Sequence, residues 1–454
     1  MTKASFEELR ARASETPEAQ FVDLERQEVD LHVMSDQHVF EAEMSRIFAR
    51  TWNFIGHESE VPKPGDFVTR YMGNMSVILI RHTDGSLRVL ANRCTHKGAM
   101  LCREDRGQRN RFVCPYHGFS FNRDGSFFNM PYRKELYNDV DTSEYNLPSA
   151  RVETVAGLAF ANWDPEAPDL RTYLGPYLSV IKATFERGDN GMEVIGPPQR
   201  WVLPTNWKTV TEQFSGDGYH AGMTHTTVMD PEGSDGAQQG VDMAVNGHGM
   251  RCIDLAAAWG GDSKVDAGTP EEQLRARPPA GMTPAMIDSF LTRATAGEIE
   301  MLVNFPPSVG NIFPTCTWMR AQMPHTDGTI ITYTDIKLAR PLSATETEIW
   351  GWGLVERDSD PDHNDKALKV RTVMFGPAGS VERDDVDMWV RIQAAVNGAT
   401  GMPAIAKYRA LWEPDAEDLV PGMKTWRGYS GENTAWEFWN RWRDFMNNRP
   451  WSAA

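Results

Sequence analysis

The period of the apolar positions changes along the chain, and each change predicts an element. Behind Ser35-Asp36-Gln37, a helix-capping sequence, Val39, Met44, Ile47 and Phe48 recur at helical spacing. A short charged helix is also expected over residues 5–13. From about residue 55 the period falls to two. Residues 67–71, 75–81 and 87–92 read as strands, folded back at Asp84-Gly85, and residues 112–114, 119–122 and 127–128 repeat the pattern around Asp124-Gly125. Residues 55–165 are therefore expected to form a small antiparallel β domain, inserted after a helical segment, 1–54, that belongs to the larger domain at 166–454. In that larger domain residues 165–176 read as a linker and 176–186 as a helix, with a strand at 201–203. Residues 230–280 show little periodicity and predict a surface excursion, a candidate lid; 284–300 reads as one helix. A second antiparallel sheet follows over 316–323, 329–338 and 346–355, turning at Asp327-Gly328. Helices are expected at 380–397, capped by Ser380, and at 435–447, capped by Thr434, with Trp436, Trp439, Trp442 and Phe445 along its apolar side. The class is α+β.

Composition narrows the setting. A chain of 454 residues suits two or three domains, and 41% apolar residues can fill their cores. Apolar runs are short and broken by charge, and the N-terminal stretch has no apolar signal-peptide core. A soluble, cytoplasmic protein with no membrane span is expected. The net charge of −17 argues against a nucleic-acid partner, which needs a basic face. Five cysteines, an odd number in a large chain, give no disulfide framework. Cys102, Cys252 and Cys316 read as core thiols.

The other two cysteines carry chemistry. Cys94-Thr95-His96 and Cys114-Pro115-Tyr116-His117 form a C-x-H and a C-x-x-H pair. Each half brings one thiolate and one imidazole, the arrangement of a Rieske [2Fe–2S] centre; a zinc site more often pairs cysteines with cysteines. Around it the local charge inverts: Arg93, Lys97, Arg103, Arg106, Arg109 and Arg111 stand against Glu104 and Asp105, either a docking surface for an acidic electron donor or a set of salt bridges within or between subunits. Farther on, His220 and His225 are five apart, which misses the helical repeat and requires a bulge or a break to aim both rings inward. Glu382-Arg383-Asp384-Asp385 can add a carboxylate, and Asp385 is the choice. Two imidazoles and a carboxylate on one face of Fe(II) leave positions open for O₂ and substrate.

With these motifs in view the chain resembles the large (α) subunit of Rieske non-haem iron aromatic-ring-hydroxylating dioxygenases, the naphthalene and biphenyl dioxygenase family, over roughly residues 38–450. The resemblance rests on Cys94, His96, Cys114 and His117, on Asn206-Trp207-Lys208, on the stretch from Glu212 to His225, and on Gly376-Pro377-Ala378-Gly379 ahead of Glu382 and Asp385. It implies a Rieske domain and a helix-grip-like catalytic domain. It implies that Asp385, four residues before Trp389, binds the iron with His220 and His225, and that Gln213 lies near it. Pocket positions fall on Phe214, Gly218, Ala221, Gly222, Phe375 and Val381; Met388 stands where many members have Asn. The implied role of Asp217 is a hydrogen-bonded bridge from His220 to His117 of a neighbouring subunit, hence a homotrimer, with or without a small β subunit in an α3β3 assembly. The implied reaction is cis-dihydroxylation of an aromatic ring by O₂, with electrons from NAD(P)H arriving through a reductase or ferredoxin. No dinucleotide fingerprint occurs in the chain itself. The pocket positions are small or apolar and favour a neutral mono-, bi- or polycyclic aromatic. Monooxygenation, a substituted aromatic acid or amine as substrate, and a pure electron-transfer protein are the alternatives.

Overall fold

Strand 75–81, Met-Ser-Val-Ile-Leu-Ile-Arg, shows how the smaller unit is built. In this computed structural model Val77 and Leu79 enter one apolar cluster while Ile78 and Ile80 enter another. Successive strand residues point to opposite faces, so a strand covered on both sides reads as an unbroken apolar run. The structure describes residues 18–137, 140–226, 240–253, 268–279, 282–399, 401–410, 416–428, 431–449 and 451. The helix expected at 5–13 lies outside them.

Two compact units result, one of Met44–Leu170 and one combining Thr16–Glu43 with Arg171–Ala454. The smaller holds a seven-stranded antiparallel sheet, in spatial order Asn53–His57, Leu158–Asn162, Ser149–Val155, Leu87–Ala91, Met75–Arg81, Asp66–Met72 and Arg106–Gln108. A three-stranded sheet adds Phe127–Asn129, Ser120–Asn122 and Arg111–Val113. Both Asp-Gly turns form as expected. Gly85 and Gly125 adopt φ of 83° and 84°, and Asp84 and Asp124 each accept the backbone N–H of the serine two residues on. The change of unit comes at Glu43/Met44, earlier than the expected boundary at 54. Asn53–His57 is already a strand of the seven-stranded sheet. The helix before it runs Gln37–Glu43, capped by Asp36, and continues as a π turn, Met44–Phe48.

The larger unit is organised on a nine-stranded antiparallel sheet. Its order is Met192–Leu203, Glu346–Glu356, Ile330–Ser343, Cys316–Pro324, Pro307–Ile312, His248–Ile253, Gly240–Val245, Met423–Arg427 and Glu417–Val420. Helices Trp207–Gly216 and Asn433–Met446 pack against it and each other, Pro361–Phe375 covers another part of it, and Ser380–Gly398 packs against Pro361–Phe375. Several expectations need correction. Of the 230–280 excursion, 240–253 is a buried hairpin inside this sheet, turned by Asn246-Gly247 with φ of 54° and 77°. Asn-Gly is the strongest short hairpin signal, and it outweighs the weak periodicity. The single helix at 284–300 is two, Pro284–Arg293 and Ala296–Asn304, because Thr295 and Glu298 form a capping box between them. The linker at 165–176 contains helix Leu170–Leu174. Gly379, not Ser380, is the cap of the Ser380–Gly398 helix, and Glu432, not Thr434, that of the last helix. The last helix does bury Trp436, Trp439, Trp442 and Phe445.

Two glycines set how closely the Trp207–Gly216 helix seats. A Cβ on Gly216 would fall 1.4 Å from Thr434 Oγ1, and one on Gly249 would fall 2.4 Å from the Ser215 carbonyl oxygen. Only hydrogen fits at either contact, so the helix lies flush on both the sheet and the last helix.

Candidate metal centres

The four Cys and His residues of the smaller unit sit on two loops of near-identical design. The N–H of Gly98 bonds the carbonyl of Cys94 at 2.9 Å, and that of Gly118 bonds the carbonyl of Cys114 at 3.0 Å. The N–H of Cys94 reaches Ala99 O and that of Cys114 reaches Phe119 O, at 2.8 and 2.7 Å. Gly98 and Gly118 adopt φ of 77° and 74°, which lets each loop reverse tightly. Both cysteines are 3% exposed. The His96 and His117 rings stand 4.7 Å apart, and His96 stacks on Phe119 at 4.4 Å. Burial pushes the Cys94 thiol up, and the adjacent Cys114 thiol adds to the shift. Burial pulls His96 down, with the charges of His117 and Lys97 acting the same way. A metal cluster that replaces the thiol protons removes the first penalty and uses the second, since a ligand imidazole must be neutral. His117 Nδ1 is buried with no hydrogen-bond partner among the described residues.

The second centre is assembled from two distant helices. Asn206 caps the Trp207–Gly216 helix through Lys208 N at 2.9 Å, and its amide also bonds Ala344 O at 2.7 Å. In that first turn Lys208 Nζ and the indole of Trp207, together with the indole of Trp442, all donate to Glu43, at 2.7–2.8 Å in a fully buried cluster. Burial lowers the Lys208 pKa, and the Glu43 carboxylate opposes that shift. The helix ends at Gly216, and a single turn, Ala221–Thr224, follows. This is the break that the five-residue spacing required. His220 opens the new turn and His225 closes it, their rings 5.3 Å apart.

Helix Ser380–Gly398 supplies the acid. Its buried stripe, Glu382, Asp385, Trp389 and Gln393, follows i, i+3, i+4 spacing. Trp389 Nε1 donates to Gln213 Oε1 at 2.5 Å, and Gln393 Oε1 accepts from Asn206 N at 2.9 Å. These ties set Asp385 against the histidines. Asp385 Oδ1 lies 3.4 Å from His220 Nε2 and 3.3 Å from His225 Nε2. One ligand atom of each residue falls within 4.8 Å of the others, so one ion can touch all three. His220 Nδ1, His225 Nδ1 and Asp385 Oδ1 are buried and, among the described residues, meet only the loose 3.3–3.5 Å contacts of this cluster rather than well-formed hydrogen bonds. This donor set, two imidazoles and a carboxylate, suits Fe(II) with open positions. Asp217 Oδ2 lies 3.4 Å from His220 Nδ1, Asp384 Oδ2 lies 3.5 Å from His225 Nδ1, and Gln213 Nε2 lies 3.2 Å from His220 Nε2. Burial opposes charge on His220, but Asp217 and Asp385 outweigh it and raise the pKa to about 9. Burial likewise opposes charge on Asp385, and the two histidines overcome it and hold the acid well below its ordinary value.

A cavity of about 140 Å³ opens beside these groups. Of the expected pocket positions, Phe214, Ala221, Phe375 and Val381 border it; Gly218 and Gly222 do not. Gly222 follows Ala221 on a helical turn and so points about 100° away, and Gly218 belongs to the bend between the helices. Val309, Met319 and Met323 complete the apolar wall. Two cations missed in the sequence, Arg251 and Lys337, also border the cavity. A period-two reading could have found Lys337, because it shares a sheet face with Ile331, Tyr333 and Asp335. Its ammonium pairs with Glu382. Met388 is exposed. Cys102, Cys252 and Cys316 are buried free thiols, as expected.

The fold and both centres define a two-metal oxygenase subunit. A Rieske [2Fe-2S] domain family matches residues 51–149, and the catalytic domain of the ring-hydroxylating α subunit matches 193–448. The chain belongs to the ring-hydroxylating dioxygenase α-subunit family. It is an oxidoreductase whose cofactors are a Rieske [2Fe–2S] cluster and a mononuclear iron, with O₂ as co-substrate. It is 32% identical to the benzene 1,2-dioxygenase α subunit of Pseudomonas putida, over 94% of this chain and 92% of that one. It is 33% identical to the N,N-dimethyl phenylurea N-demethylase α subunit of Sphingobium sp. (strain YBL2), over 79% of this chain and 78% of that one. The crystal structure of naphthalene 1,2-dioxygenase from Rhodococcus sp., bound to indole, superposes with a TM-score of 0.82 at 27% identity, covering 99% of each chain. Among the described residues no helix is long and apolar enough to cross a membrane.

Proposed function

We propose that this chain cis-dihydroxylates a hydrophobic aromatic ring bound in the cavity beside His220, His225 and Asp385, with those three residues holding the iron and Cys94, His96, Cys114 and His117 holding the cluster. The observation that carries the reading is the convergence of two imidazoles and a carboxylate within 4.8 Å, at the edge of an apolar cavity. When bound, the cluster supplies electrons and the iron supplies O₂ chemistry. The chain does the rest. Phe214, Phe375 and Val381 exclude water and press the ring toward the ligand set. Asp217 holds the His220 ring through Nδ1, so that Nε2 faces the iron position. Gln213, fixed by Trp389, lies against the same Nε2.

Asp217 is also suited to a second imidazole. It is a half-buried carboxylate whose charge is opposed by burial but favoured by His220 and Arg251, which lower its pKa. His117 offers a buried Nδ1 with no partner among the described residues. A pairing of Asp217 with His117 of a neighbouring copy implies a homotrimer, with or without a small β subunit. Electrons come from a ferredoxin or reductase that takes them from NAD(P)H. Arg103 and Arg106 remain exposed on the small unit for such a donor, whereas Arg109 is tied to Glu104 at 2.5 Å and Arg111 lies over Phe128 at 3.4 Å. Five unpaired cysteines suit a reducing cytoplasm. Monooxygenation is the second reading, favoured by the N-demethylase relative.

The test is anaerobic reduction of the purified enzyme with a generic ferredoxin and reductase, then O₂ and product analysis over a panel of aromatic compounds. cis-Diols are expected; N- or O-dealkylated products alone would favour the second reading, and no oxygenated product from any member would overturn both.

A further inference from the structure

One cation in the cavity wall has hydrogen-bonding capacity to spare. The Lys337 side chain is 2% exposed, and its Nζ lies 5.2 Å from the centre of the Phe214 ring and 5.6 Å from that of Phe375. Both rings border the cavity, as Lys337 does. An ammonium has three N–H donors. Glu382 takes one, and Asp335 Oδ2 at 3.9 Å is beyond hydrogen-bond reach. Among the described residues it meets no second hydrogen-bond acceptor. Buried donors on a charged group are costly to leave unmet, so the remaining N–H groups call for an oxygen from the cavity side.

Charge selects the kind of oxygen. Glu382 already balances Lys337, and Arg251 pairs with Asp242 at 3.7 Å. Asp217 and Asp385 stand at the same cavity. A carboxylate entering here would meet Glu382 beside the ammonium it needs. A neutral acceptor gains the hydrogen bond without that repulsion.

We propose that the cavity is built for a neutral aromatic compound bearing a carbonyl-type oxygen, which accepts a hydrogen bond from Lys337 and so sets which ring edge faces His220, His225 and Asp385. The proposal rests on the ring-hydroxylating reading and adds the substrate class to it. Lys337 is then a specificity-determining residue, and its pair with Glu382 does more than fasten the Ser380–Gly398 helix to the sheet.

The test uses the metal-loaded enzyme and three ligands that share an eight-carbon skeleton size: ethylbenzene, acetophenone and phenylacetate. Dissociation constants are measured anaerobically by calorimetry, and kcat/KM by product formation. In the wild type acetophenone is expected to bind about tenfold to a hundredfold more tightly than ethylbenzene, the range for a hydrogen bond to a charged group. In a double variant, Lys337→Met with Glu382→Gln, no buried charge is left unpaired, and the acetophenone-to-ethylbenzene ratio is expected to fall to about one. A wild type without preference for the ketone, a ratio unchanged in the variant, or phenylacetate binding tightest would each overturn the proposal. The wild-type comparison decides even where the variant does not fold. Hydroxylation of ethylbenzene without a ketone preference sinks this proposal and leaves the ring-hydroxylating reading standing; oxidation of none of the three counts against both.

Discussion

The two metal centres are built on opposite plans. Cys94, His96, Cys114 and His117 come from two loops of one small unit, each closed by its own glycine and its own backbone hydrogen bonds. His220 and His225 flank the single turn that follows the Trp207–Gly216 helix, Asp385 lies on the Ser380–Gly398 helix far along the chain, and the two helices are joined through Trp389–Gln213 and Gln393–Asn206. The first centre is a local motif that needs little beyond its loops. The second exists only when the nine-stranded sheet and its helices are assembled. A local site advertises itself by spacing; an assembled one depends on contacts that spacing does not encode.

This contrast says that each centre can be emptied without the other. The largest effect is expected from Cys114→Ser, which removes a cluster thiolate: the visible and paramagnetic signals of the cluster should vanish along with turnover, while the mononuclear iron stays. Loss of both metals in that variant would mean that the units are not independent. Asp217→Asn should keep both metals and lower turnover about 10- to 100-fold, the usual cost of removing a partner of a ligand imidazole. Normal product formation by this variant would remove Asp217 from the electron path.

A smaller effect separates the units by pH. His248 is fully buried; its Nδ1 accepts from Phe313 N at 3.0 Å and its Nε2 faces Tyr173 O at 3.3 Å. Burial, with Arg441 adding, pulls its pKa from 6.5 to about 3. A depressed histidine favours folding above its unfolded pKa, and that contribution is lost as pH falls from about 6.5 toward 3. Between pH 7 and pH 5 the large unit should lose about 2 kcal/mol on this account. Urea unfolding of wild type and His248→Gln at both pH values measures it; identical pH dependence in the two would remove His248 as the cause.

The sequence reading was strongest where chemistry is local. The three Asp-Gly turns, the Cys/His pairs and the meander over 316–356 were legible, because each depends on neighbours a few residues apart. The five-residue gap between His220 and His225 correctly demanded a break, which falls after Gly216. Asp385 could be chosen from its acidic run, but the ties that aim it were not visible beforehand. The hairpin at 240–253 was hidden by its low periodicity, since its strands are buried within the sheet. Lys337 was missed because a lysine inside an apolar strand reads as an exposed interruption, whereas Glu382, far along the chain, allows it to be buried.

The most direct test of the assembled centre is metal analysis of Asp385→Ala. The account predicts that the reducible Rieske signal and its iron are retained, that the mononuclear iron is absent, and that no oxygenated product forms. A variant that keeps the mononuclear iron and hydroxylates aromatic substrate would contradict it.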